Sequence, residues 1–367
     1  VSTDAANPTE LFFVSGPATL WRDVKVWGSH AYVTHETPYS ATEEGIGLLI
    51  VDLSNLPNSI DTATWQGDSI DLKTAHNIFM DENGIAHVVG SNYGIGGSLM
   101  LDVTTNPMNP ELVGIYDLRY IHDCFVRGDT LWSAEVNDGI FSVVDISDKW
   151  NPVVLATQST PNFFTHNLWL SDDGKYLFTT DEVEGGYVGA YDVSDLSDIE
   201  ELDRFQSSPG SNVIPHNSFF MDEYVITSYY ADGVVVKDVS NPSNMVVTGH
   251  FDTSPLFAGG GFVGCWGVYP YTASGYIYAT DMQGTFFVLD PNYTRAGYLE
   301  GVVTDSVTGG TLNDVAVSIE DSPNSTTTDL TGEYETGTPH QGMYDVTFSK
   351  LGYFAKTVSG VSFSSGM

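Results

Sequence analysis

Four histidines recur at one position of a long repeat, each followed by a small amide or carboxyl side chain: His76-Asn77, His122-Asp123, His166-Asn167 and His216-Asn217. They are four of only nine histidines in the chain. A second polar set stands 13 to 16 residues beyond the repeat anchors: Glu36, Asn92, Glu135, Asp181 with Glu182, Tyr229 with Tyr230, and Asp281. Imidazole with carboxylate suits zinc, manganese, iron or copper, whereas calcium prefers carboxylates, amide carbonyls and water. The candidate ligands of a divalent metal, calcium or a transition metal, are therefore His76, His122, Asp123, His166, His216, Glu36, Glu135, Asp181, Glu182 and Asp281. A hydrolytic centre would add a metal-polarised water and a general base, a role open to Glu135 or Asp181. The His-Asn pairs could equally serve only to satisfy backbone groups between neighbouring elements. No Ser-His-Asp order or nucleophile elbow is visible, and no organic cofactor is implied.

The elements that must position these residues are strands. Two degenerate copies, Arg22-Asp23-Val24 and Trp266-Gly267-Val268, flank the four histidine copies, and the six anchors (22, 76, 122, 166, 216, 266) lie 44 to 54 residues apart. That period is the length of a four-stranded propeller blade. Each unit repeats an anchor strand, an Asp/Asn/Gly turn such as Asp81-Glu82-Asn83-Gly84, a second strand such as Leu131-Trp132-Ser133-Ala134, and a glycine-led apolar run closing on Asp, such as 233–240. An Asn-Pro type turn then leads into an outer strand. No stretch has helical periodicity, so the expected fold is all-β: a six-bladed β-propeller over 1–295 followed by a small β-sandwich over 296–367. The last unit runs out after Asp290, and Leu11-Phe12-Phe13-Val14 belongs to no unit, so this N-terminal segment is expected to close the last blade.

In such a ring the first strand lines the axis and the second runs antiparallel to it, so anchor starts and second-strand ends share one face. Imidazoles and carboxylates then converge on one funnel, unevenly, because the first and last units lack the histidine. Tyr229, Tyr230, Trp266 and Tyr269 near that funnel could stack on sugar rings or pack between blades. The acids closing the third strands (Asp52, Asp102, Asp145, Asp192, Asp238, Asp290) invite a calcium reading, but an Asx-turn role explains them more simply. Cys124 and Cys265 fall on inner strands of blades three and six, facing across the axis, which argues for two buried thiols rather than a disulfide.

The charge balance of 48 acids against 12 bases gives a net of −36 over 367 residues. Such a surface repels phosphate backbones, so nucleic acid is excluded as a partner. Either solubility in an extracellular, saline setting or cation binding accounts for it. No apolar run approaches the roughly eighteen residues of a membrane span. The polar opening VSTDAANPTE is what a mature chain shows after loss of a signal peptide. The sequons at Asn292 and Asn324 are too short to carry weight.

With these motifs in hand, WRDVKVWGSHAYVTHE, AHNIFMDENGIAHVVGSN, THNLWLSDDGKYLFTTDE and CWGVYPY together resemble the LVIVD-repeat propellers grouped as the choice-of-anchor B family. The resemblance implies an exported, secreted or surface-attached bacterial-type protein. From Gly297, the Thr-Gly-Gly turn, the TDLTGEY hairpin and KLGY resemble a carboxypeptidase regulatory-like β-sandwich, a module used as a spacer or adhesive stalk. Its abrupt end at VSFSSGM suggests that a further strand follows Met367. The expected function is non-catalytic binding or adhesion, with surface polymers, glycans or other extracellular proteins as partners. A metal-dependent, lactonase-like hydrolase and a structural subunit of an extracellular assembly are the alternatives.

Overall fold

The structure, a computed structural model, describes residues 9–36, 45–67 and 69–367. Its described residues form strands and turns, and no helix among them is long and apolar enough to cross a membrane. The first sheet holds β1 (Val24–Trp27), β2 (His30–Val33), β3 (Leu48–Asp52) and β4 (Asp61–Trp65). The second holds β5 (Asn77–Met80), β6 (Ile85–Val89), β7 (Ser98–Asp102) and β8 (Glu111–Tyr116), and the third β9 (Asp123–Arg127), β10 (Thr130–Glu135), β11 (Ile140–Asp145) and β12 (Val153–Ser159). The fourth is β13 (Thr165–Leu170), β14 (Tyr176–Asp181), β15 (Val188–Asp192) and β16 (Glu200–Phe205). The fifth is β17 (Ser218–Met221), β18 (Tyr224–Tyr229), β19 (Gly233–Asp238) and β20 (Val246–Phe251). A sixth has three strands, β21 (Cys265–Tyr269), β22 (Ile277–Asp281) and β23 (Phe286–Leu289). Each is a meander with neighbours in chain order, as hairpin connections require.

The third strands of the first five sheets are buried almost throughout. That burial is why they read as continuous apolar runs rather than alternating ones. Their leading glycines are required by the backbone. Gly47 and Gly233 sit at φ +76° and +77°, and a Cβ would lie 2.3 Å from the Trp65 carbonyl oxygen and 2.2 Å from that of Phe251. The acids closing these strands do the turn work expected of them. Asp52, Asp102, Asp145, Asp192 and Asp238 each accept a hydrogen bond from the backbone N–H two residues on, at 2.7–3.0 Å.

Two compact units form, Val1–Leu168 with Thr179–Glu182, and Trp169–Phe178 with Val183–Met367. In the first, strand β1 packs beside β5 and β5 beside β9, so the anchor strands of consecutive sheets are neighbours. Leu11–Val14, the segment expected to close the last blade, has no strand conformation and its four side chains are exposed, and the sixth sheet has three strands among the described residues. Cys124 and Cys265 are free, buried thiols.

The C-terminal module belongs to the second unit. It has a two-stranded sheet of β24 (Gly297–Val302) and β27 (Glu333–Thr338), and a four-stranded sheet ordered β26 (Ser325–Thr327), β25 (Ala316–Ile319), β28 (Gly342–Ser349), β29 (Lys356–Phe363). Val317, Ile319, Val346 and Phe363 form its core. The module is bonded closely to the fifth sheet. The Asn324 amide donates to the Val247 carbonyl (3.0 Å) and accepts from the Val247 N–H (2.9 Å), so one side chain satisfies both edge groups of a residue on β20. Asn244 donates to the Thr336 carbonyl at 3.0 Å, and Asn241 to Glu300 at 2.9 Å. At the junction Arg295 donates to buried Asp238 (3.0 Å) and to Glu223 (2.7 Å), with its guanidinium 4.4 Å from the Tyr224 ring centroid. Asp238 also accepts from the Ala296 N–H at 2.7 Å.

Candidate functional site

Antiparallel pairing sets the geometry of the site. The His76 N–H donates to the Val89 carbonyl (3.1 Å) and the His122 N–H to that of Ala134 (2.8 Å), which places each anchor beside the end of its sheet's second strand. Because β1, β5 and β9 are neighbours, a carboxylate at one strand end also reaches the next sheet's histidine. Glu36, just past β2, lies 2.7 Å from His76 Nδ1. Further bonds tie the same two sheets: the Ala75 N–H and the Thr74 hydroxyl both donate to the His35 carbonyl, at 3.0 and 2.8 Å.

Three imidazoles meet here. The ring centroids of His76 and His122 are 3.8 Å apart, and those of His122 and His166 are 4.2 Å apart. One nitrogen from each of the three lies within 4.8 Å of the other two. Each ring has a carboxylate beside it: Glu36 on His76, Asp123 Oδ1 at 3.5 Å from His122 Nδ1, and Glu182 Oε2 at 3.2 Å from His166 Nε2. His166 is buried, while His76 and His122 keep some exposure.

Beneath the rings, buried Asp123 accepts hydrogen bonds from the side-chain amides of Asn77 and Asn167, the latter at 3.0 Å. Three successive anchor strands are thereby joined through one carboxylate. Burial would raise the Asp123 pKa, but the His122 hydrogen bond and the charges of His166, His122 and His76 outweigh it and hold the acid far below the usual carboxylate range. Burial opposes the charged form of His76 as well, yet the Glu36 hydrogen bond and the nearby Asp123 and Glu36 charges raise its pKa. The His76 hydrogen bond in turn lowers that of Glu36.

Glu135, Asp181 and Asp281 are engaged by the protein itself. Glu135, fully buried at the end of β10, accepts from the Ser133 hydroxyl (2.8 Å) and faces Arg119 at 3.3 Å, and burial raises its pKa. Asp181 accepts from the Thr160 hydroxyl (2.5 Å) and the N–H groups of Asn162 (2.8 Å) and Phe164 (3.3 Å), which fixes the 160–164 loop. Both carboxylates, to either of which the sequence left a general-base role open, are engaged by groups of the protein. Asp281 accepts from the N–H groups of Gln283 and Thr285, at 3.1 and 2.9 Å, and so caps its own turn. His216 is packed in the second unit against Trp266 and Tyr230, with centroids 5.1 and 5.5 Å away. Tyr229 is a core residue, its hydroxyl donating to the Phe205 carbonyl at 3.3 Å.

Sequence reasoning missed Arg119 and buried Lys237. Their signal was rarity, since only 12 bases stand in an acidic chain of 367 residues, so a lysine inside an apolar run had to be accounted for.

Known families cover parts of the chain. Residues 298–366 match the carboxypeptidase regulatory-like domain, and residues 228–253 match the LVIVD repeat. Among curated proteins none matches. Among solved structures, the periplasmic gluconolactonase of Pseudomonas aeruginosa is similar at 10% identity and a TM-score of 0.55, over 91% of this chain and 86% of that one. A candidate 6-phosphogluconolactonase of Bacteroides fragilis is similar at 12% identity and a TM-score of 0.55, over 89% and 87%. A Lactobacillus plantarum protein is similar at 13% identity and a TM-score of 0.50, over 89% and 95%. At such identity the likeness carries the fold and not the chemistry. The fold is all-β and propeller-like, with a carboxypeptidase regulatory-like sandwich after it.

Proposed function

We propose that this chain is a non-catalytic binding protein of the extracellular space, secreted or attached to a bacterial-type cell surface. In this reading the imidazole cluster on the anchor strands of the first unit is the binding element. One observation carries it: every carboxylate singled out around the cluster is engaged by the protein. Glu36 is held by His76, Asp123 by two asparagines, Glu182 by His166, Glu135 by Ser133 and Arg119, and Asp181 by Thr160 and two backbone N–H groups. Carboxylates used this way orient imidazoles and fix loops, whereas hydrolysis needs one beside a reacting water. The sandwich is bonded to the fifth sheet, and a chain built this way suits attachment to a surface polymer, a glycan or another extracellular protein.

The rival reading is a lactone hydrolase, after the gluconolactonase of Pseudomonas aeruginosa whose fold is similar. The two are separated by one preparation tested in two ways: co-sedimentation with insoluble cell-wall glycan, and pH-stat titration with a panel of aldonolactones. Saturable co-sedimentation without turnover above buffer is expected. Turnover that disappears in His122→Ala would overturn the reading.

A further inference from the structure

We infer that His76, His122 and His166 hold a zinc-class transition metal ion through three imidazole nitrogens, and that Glu36 and Glu182 orient two of those rings. This rests on the binding reading above and names the ligand that the cluster takes. The geometry comes first. Nitrogens around a tetrahedral zinc at about 2.0–2.1 Å stand roughly 3.3 Å apart. The three side chains already bring one nitrogen each within 4.8 Å of the others. Sequence separation makes this a built arrangement, because the ligands come from three consecutive repeats and meet only through the packing of their anchor strands.

The outer groups fit the same assignment. A metal-bound histidine commonly gives its other ring N–H to a carboxylate, which fixes the tautomer and strengthens the ligand. Glu36 at 2.7 Å from His76 Nδ1 leaves Nε2 of that ring as the donor to the metal. Glu182, 3.2 Å from His166 Nε2, leaves Nδ1 of His166. Asp123 places a buried negative charge under all three rings, and its oxygens are bonded to Asn77 and Asn167, so it neutralises without needing to coordinate.

Electrostatics favours a cation bound by neutral rings over three protonated ones. Two unit charges about 4 Å apart repel by about 4 kcal/mol at an effective dielectric constant of 20, and the centroid spacings here are 3.8 and 4.2 Å. Calcium does not suit this donor set, since it takes six to eight oxygens and the carboxylates here are bonded elsewhere. Three protein nitrogens leave a fourth position on the ion, open to water or to an anionic or imidazole group of a bound partner.

The full chain, stripped with chelator and dialysed, is titrated with Co2+ as a spectroscopic substitute for Zn2+. One equivalent should give the intense visible d–d bands of four-coordinate cobalt, and Zn2+ but not Ca2+ should bleach them. His122→Gln and His166→Gln should abolish the bands with circular dichroism unchanged, and His340→Ala should leave them intact. Glu36→Gln should weaken zinc about 10- to 100-fold while keeping the stoichiometry, as loss of an orienting carboxylate does. Because a histidine variant could fail to fold, wild-type thermal unfolding with and without Zn2+ is measured as well, and zinc should raise the midpoint.

No cobalt spectrum and no zinc shift in the wild-type chain would overturn the metal assignment, as would bleaching by Ca2+ or variants that bind like wild type. If metal is not bound but co-sedimentation with glycan persists, only this inference fails. If metal is bound and lactones turn over, the site stands and the non-catalytic reading fails.

Discussion

Replacing Lys237 with methionine should stabilise the protein, by an amount that depends on pH in a defined direction. Lys237 lies on β19 with no exposed surface, its ammonium 4.6 Å from the Phe205 ring centroid and 5.7 Å from that of Tyr229, and no hydrogen-bond acceptor reaches it. Burial lowers its pKa from 10.5 to about 7, with the Asp203 charge opposing the shift. A difference of about 3.5 units corresponds to about 5 kcal/mol against the charged form. The cation–π contacts return at most about 2 kcal/mol, so desolvation wins. Asp203 keeps its backbone partners, the N–H groups of Met245 (2.8 Å) and Arg204 (2.7 Å), and is itself pushed up to about 7 by burial, so loss of the cation strands no fixed anion.

Methionine fills the stem's volume without an amine, and a net gain of about 2–4 kcal/mol at pH 7 is expected. The sign with pH follows from linkage. Between about 7 and 10.5 the unfolded chain carries the lysine proton and the folded chain does not, so wild-type stability rises with pH across that window. The advantage of Lys237→Met should therefore be flat below pH 7 and shrink toward pH 10.5. About 1 kcal/mol should remain for the neutral amine that still lacks a partner. Denaturant unfolding followed by tryptophan fluorescence at several pH values, wild type against variant, measures this directly. A variant less stable than wild type at pH 7, or a gain that grows with pH, would refute the reasoning.

Three further substitutions read out other parts of the molecule. Asn324→Ala removes both bonds that cap Val247 and should cost about 1–3 kcal/mol and open the module junction to limited proteolysis; the same engaged amide should carry no glycan when the chain is expressed in a glycosylating host, which intact-mass measurement checks. Arg295→Met leaves Asp238 buried without its cation and should cost about 2–3 kcal/mol, less than a fully buried pair because the guanidinium is partly exposed, and it should separate the melting of the C-terminal module from that of the sheets in calorimetry. Asp123→Asn turns an NH2 donor toward one of the amide donors of Asn77 and Asn167 and should lower stability by about 3 kcal/mol in denaturant unfolding, with Asp123→Ser less damaging because its hydroxyl can still accept.

The sequence by itself determined the repeat, the strand order within each sheet and the turn acids, because these depend on contacts a few residues apart. A glycine at φ +77° or an aspartate bonded to the N–H two residues on leaves the same mark in every copy. It also brought His76, His122 and His166 to one side, since antiparallel pairing fixes where a strand start lies.

Tertiary structure decided which partner each acid took. Glu36 lies just past β2 and Asp181 ends β14, yet one reaches across to the next sheet's imidazole and the other turns back onto its own 160–164 loop. That choice is made by neighbours some 20 to 40 residues away, and no local pattern encodes it. The same is true of Lys237. It occupies an ordinary strand position in GVVVKDVS, and only the packing of Phe205 and Tyr229 around its ammonium takes it out of water. Leu11–Val14 marks the opposite limit: an apolar segment has the composition of a strand, but a strand exists only where another edge bonds it, and this segment takes no strand conformation.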